Sequence, residues 1–174
     1  MSTQWVRFDA EGPYSFRDAV GDDGKVSARS LKAWFKAQGL GHHQGVYIVA
    51  SGMKKPKPWY VGLAAKQTFR AECSTPDKVR KINRALESVG KGAPVLLFLT
   101  VENPRTLLAK HRYRAIHLLE TELIRWCVTR NDQLINVKKV RPTLQPFIQG
   151  VLRSGPGKPL PAARAVRKTL GVGK

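Results

Sequence analysis

Apolar and polar residues first alternate in Trp5-Val6-Arg7-Phe8, which predicts a short strand. Leu31, Trp34 and Phe35 then recur at helical spacing within Ser30–Ala37, predicting a helix whose single apolar face serves packing or docking. From Gly45 the period changes. Gly45–Ala50 and Trp59–Leu63 are dense in valine, isoleucine and tyrosine, and the Gly, Pro and Lys residues between them predict a β-hairpin with a basic tip. Residues 64–73 read as helix, and Thr75-Pro76-Asp77 opens another with a capping hydroxyl, a first-turn proline and an acid at the positive end of the helix dipole. Pro94–Val101 is a continuous apolar run, as expected of a central strand. Arg105–Thr129 is the longest helical candidate, with Ile116, Leu119, Leu123, Trp126 and Cys127 at three- and four-residue intervals, a stripe suited to lie on the sheet.

Beyond Asn131, prolines and glycines break the pattern, leaving a short apolar helix around Pro146–Leu152. The expected architecture is an α/β domain over residues 45–137, with a small three-stranded, mainly antiparallel sheet flanked by helices. An N-terminal extension, 1–44, precedes it, and a basic C-terminal extension, 138–174, follows and is expected to be flexible beyond about 153.

Charge adds a partner to this picture. The 174 residues include 31 Lys and Arg against 12 Asp and Glu, a net charge of +19. Residues 133–174 hold nine cations and no acid. Such an excess attracts phosphate backbones by counterion release, so nucleic acid is the expected partner. A membrane fits poorly, because no apolar run is long enough to span one and no basic helix carries a broad apolar face. Cys73 and Cys127 form neither a metal-binding spacing nor a disulfide framework, which favours a cytoplasmic setting.

The candidate chemistry lies on the hairpin. Gly45-Val46-Tyr47 and Tyr60-Val61-Gly62 put two tyrosines beside glycines on neighbouring strands, and Arg70 follows eight residues after Gly62. A guanidinium stays charged and offers a planar donor fork that suits phosphate. With Glu120 in Leu118–Ile124 and Asn136 in Leu134-Ile135-Asn136-Val137, the order and spacing resemble the GIY-YIG endonuclease superfamily over residues 45–137.

That resemblance implies metal-dependent hydrolysis of DNA phosphodiester bonds. Tyr47 would be the general base, Tyr60 would orient water or phosphate, and Arg70 would clamp the phosphate. Glu120 would hold a single Mg²⁺ or Mn²⁺, and Asn136 would hydrogen-bond within the site. Lys66 and the tip residues Lys54, Lys55 and Lys57 would touch the nucleic acid. Glu122 competes with Glu120, but the family's spacing to an apolar position, here Ile124, selects Glu120. One position departs from the pattern: Ser74 stands where many members carry histidine. His117 lies one turn before Glu120 but reads more readily as a surface or core residue, as does His111; His42 and His43 precede the first hairpin strand. A catalytically weakened DNA- or RNA-binding module on the same scaffold is the alternative. DNA against RNA and oligomeric state stay open.

Overall fold

The computed structural model describes residues 6–54, 56–89, 92–102 and 108–136. Trp5, Lys55 and the extension 138–174 lie outside them. In chain order the elements are β1 (Phe8–Ser15), a 3-10 turn (Arg17–Ala19), α1 (Ala28–Ala37), β2 (Gly45–Ser51), β3 (Lys57–Ala64), α2 (Phe69–Cys73), α3 (Pro76–Val89), β4 (Pro94–Val101) and α4 (Ala109–Arg130). The class is α/β.

The sheet has four strands in the order β1-β4-β2-β3, not three, and every neighbouring pair is antiparallel. The additional strand is β1, which pairs Phe8 with Val101 and Ser15 with Val95 across a register shift between Glu11 and Tyr14. Gly12-Pro13 falls inside that shift and interrupts the alternation, so residues beyond Phe8 do not read as strand. Proline and charge on an outer strand also discourage pairing with further chains.

Alternation along the central strands sorts their side chains onto two cores. Tyr47, Val49, Tyr60, Leu96 and Phe98 face α1, α2 and α3, which contribute Leu31, Trp34, Phe35, Phe69, Cys73 and Ile82. On the other face Val46, Val61 and Val101 meet Ile116, Leu123, Ile124 and Cys127 of α4. Residues 6–44 thus supply a strand and a helix to the same sheet and core as the hairpin. A capping box starts α1, with Ser27 and Ser30 exchanging backbone-to-hydroxyl bonds of 2.9 Å.

Two helices differ from their sequence expectation. Strand β3 runs on through Ala64, and helix begins only at Phe69, behind the Thr68 cap. On α4 the buried set is Ile116, Glu120, Leu123, Ile124 and Cys127, while Trp126 is 64% exposed. A turn of about 100° per residue places Trp126 roughly a quarter-turn from the centre of that set, whereas Glu120 falls inside it. Choosing apolar letters alone rotated the predicted stripe away from the carboxylate. After α4, Ile135 donates its backbone N–H to the Trp59 carbonyl at 2.9 Å, and Asn131 donates its amide to Pro58 at 2.7 Å. This segment covers the outer edge of β3.

Candidate active site

The β2–β3 register pairs Tyr47 with Gly62 and Val49 with Tyr60, so both tyrosines fall diagonally on one face. Their ring centroids are 6.0 Å apart, and Phe69 stands nearly perpendicular to Tyr47 at 6.2 Å. Gly62 is required by this packing. A Cβ there would enter the Tyr47 ring, 2.7 Å from Cε1 and closer to Cζ and the hydroxyl. Gly45 is constrained from the other side, because a Cβ there would run into the backbone carbonyl of Leu99. Both motif glycines mark close approaches of chain to ring or backbone.

Tyr47 is fully buried, and its hydroxyl finds no hydrogen-bond partner of adequate geometry; its polar neighbours are the Cys73 thiol and the Tyr60 hydroxyl. Burial first, then those neighbours, hold its pKa well above 10.0. Burial also pushes the Cys73 thiol up to about 12.

Tyr60 is nearly as deep, at 2% exposure, but has a cation. Burial raises its pKa, the Lys78 ammonium 3.4 Å from its hydroxyl opposes that rise, and the Glu120 carboxylate adds to it. Lys78 is set by the first turn of α3 and ion-paired with Glu72 at 3.2 Å, and Gln67 donates to the second Glu72 oxygen at 2.6 Å. Burial disfavours the ammonium, yet Tyr60 and Glu72 outweigh it and lift the Lys78 pKa above 10.5. Tyr60, Lys78, Glu72 and Gln67 form one chain of polar contacts at the tyrosine pair.

Glu120 is 4% exposed on α4, the helix that packs on the sheet face opposite the tyrosine rings, and its charge adds to the rise in the Tyr60 pKa. Glu122 points outward and pairs with Arg125 at 2.6 Å, so the two carboxylates take the separate environments their spacing predicts. Asn136 spends its side chain on β3, donating to the Val61 carbonyl at 2.6 Å and accepting from the Val61 N–H at 3.3 Å. It therefore fixes the strand between Tyr60 and Gly62.

Arg70 lies on α2 with its aliphatic stem against Gly41, and its guanidinium forms no hydrogen bond or ion pair among the described residues. Ser74 caps α2: its hydroxyl donates to the Arg70 carbonyl at 2.7 Å, so it contributes neither base nor cation. Among the other named cations, Lys66 sits 5.9 Å from the Tyr113 ring centroid and Lys57 sits 4.6 Å from that of Trp59. Lys54 is exposed at the hairpin turn. His117 stacks at 4.3 Å on Tyr113, and the backbone carbonyl of His43 accepts from Phe69.

Lys78, Glu72 and Gln67 escaped sequence reasoning. One lysine among so many cations carries no spacing signal; only the proline-started helix fixes which way its first turn faces. No family model matches the chain, and neither a curated protein nor a solved structure matches it.

Proposed function

We propose that the protein is a metal-dependent endonuclease acting on DNA, with Tyr60, Tyr47, Arg70 and Glu120 as its working groups. The observation that carries the reading is the buried Tyr60 hydroxyl, 3.4 Å from the Lys78 ammonium and beside a second tyrosine, with Glu120 as a buried carboxylate on α4. Burying a carboxylate is costly, and a buried phenol perturbed by burial and by a specific ammonium partner is more characteristic of a reactive site than of a plain core. The net charge of +19 and a guanidinium without an ionic partner among the described residues suit such a substrate.

Phosphodiester hydrolysis requires a proton acceptor for the attacking water, positive charge near the phosphate and relief of charge on the leaving oxygen. Of the two, Tyr60 is the better candidate acceptor: its pKa stays above 10.0, but Lys78 opposes the rise that burial causes, whereas no cation opposes it at Tyr47. Tyr47 shapes the wall against Gly62. Arg70 would bind phosphate oxygens through its donor fork. Glu120, a buried carboxylate and hard oxygen donor, would hold a hydrated Mg²⁺ or Mn²⁺, with water and phosphate as further ligands. When bound, the ion would neutralise charge on the leaving oxygen.

A second reading, a nucleic-acid-binding module that does not cut, is favoured by the burial of both tyrosines and by Ser74 as a cap. The test is incubation of the full chain with supercoiled and single-stranded DNA in Mg²⁺, Mn²⁺ or EDTA. Cleavage that needs metal and disappears in Glu120→Gln, with DNA affinity retained, supports the nuclease. Binding without cleavage under every metal condition leaves the binding module.

A further inference from the structure

An open groove of ≈ 530 Å³ lies beside α1, α2 and the start of α3, lined among others by Lys32, Gly41, His42, Thr68, Arg70 and Thr75. No carboxylate lines it. Every Asp and Glu of the chain belongs to the described residues, and none of them forms an ion pair with Lys32 or Arg70. A second groove, of ≈ 430 Å³, along α3 is different in kind: Glu87 lines it, and its Arg80 is already paired with Asp77 at 2.8 Å.

The first groove is also built to hold its arginine. A Cβ at Gly41 would stand 3.2 Å from both Cβ and Cδ of Arg70, so the bare glycine lets the loop press on the arginine's stem. Of the neighbouring hydroxyls, Thr75 donates to the Glu72 carbonyl, whereas Thr68 accepts from the Ala71 N–H and keeps its own O–H as a donor. The cationic donors on this concave space are the Arg70 fork and the Lys32 ammonium, neither ion-paired among the described residues, with the His42 ring and the Thr68 O–H beside them.

We infer that this groove binds a backbone phosphate next to the one that is cut, with Lys32 of α1 contacting the flanking phosphate and Arg70 joining the groove to the reaction site. The inference rests on the nuclease reading for Arg70, but the groove itself requires only a phosphodiester strand. It makes α1 part of the nucleic-acid interface, although its apolar face is wholly structural. Specificity does not arise here, because phosphate contacts position a strand without reading its bases.

The experiment uses the full chain and a fluorescent duplex of mixed sequence, with binding followed by anisotropy in EDTA over a series of salt concentrations. Lys32→Glu is compared with Lys36→Glu, which makes the same charge change one turn along the same helix, outside the groove's lining. Lys32→Glu should weaken binding more than Lys36→Glu and flatten the plot of log affinity against log salt by about 0.9, the effect of one lost phosphate contact. Equal weakening by the two variants, or none by either, overturns the groove assignment and leaves the nuclease reading intact. Selective weakening in a protein that never cuts upholds the groove and overturns the nuclease.

Discussion

Tyr47 and Gly62 occupy one volume, the ring lying where any larger residue at position 62 would put its side chain. Gly62→Ala must displace a fully buried ring and should cost about 1–3 kcal/mol, the range for overpacking a tight core; an unchanged urea midpoint would show that the ring moves freely. The Tyr47 hydroxyl has no adequate hydrogen bond to lose, so Tyr47→Phe should be neutral or stabilising by up to about 1 kcal/mol in the same assay. In cleavage the order reverses. Tyr60→Phe should lower the single-turnover rate by about 10²-fold or more, as loss of a general base does, and Tyr47→Phe by much less; a larger loss for Tyr47 would return the proton-accepting role to it. Cys73 gives the core a pH dependence. Its folded pKa of about 12 exceeds the ordinary 9.0, so its contribution is complete below pH 9 and is lost as pH rises from 9 towards 12, where only the unfolded chain releases the proton. The fall in urea midpoint between about pH 8 and about pH 10.5 should be smaller in Cys73→Ala than in wild type.

Element by element, legibility in the sequence followed periodicity. The β2–β3 hairpin and β4 were legible because branched and aromatic residues cluster between strong turn signals. Strand β1 was hidden by Gly12-Pro13, and α4 was misoriented because its buried face includes a charged residue that apolar counting skips. Glu120 was singled out through motif spacing, whereas Lys78 was not, since its contacts with Tyr60 and Glu72 are tertiary. Asn136 was read as part of the site, and its amide proves to be spent on the backbone of β3. Asn136→Leu should leave the Val61 N–H and C=O without their partner, costing about 1–3 kcal/mol and speeding amide exchange at Val61 far more than at Leu97 on the inner strand β4. Equal acceleration at both amides would mean that the amide bond adds nothing local.

At the scale of the whole molecule, charge is unevenly distributed along the chain. Residues 1–44 carry six cations and five acids, so α1 supplies its groove lysine within a nearly neutral stretch, while residues 133–174 carry nine cations and no acid. Sequence alone made that asymmetry plain, and the extension 138–174 lies outside the described residues, so its part in binding is a question for solution measurements. Deleting 154–174 removes Lys158, Arg164, Arg167, Lys168 and Lys174. If each of these five cations meets one duplex phosphate, the slope of log affinity against log salt should flatten by at most about 4.5, at roughly 0.9 per contact. Affinity at low salt should fall with it. Because such contacts carry no base information, the cut positions and the rate at saturating DNA should stay as they are in the full chain. A truncated protein that cuts elsewhere would make the extension a determinant of specificity, and one that unfolds would make it part of the core.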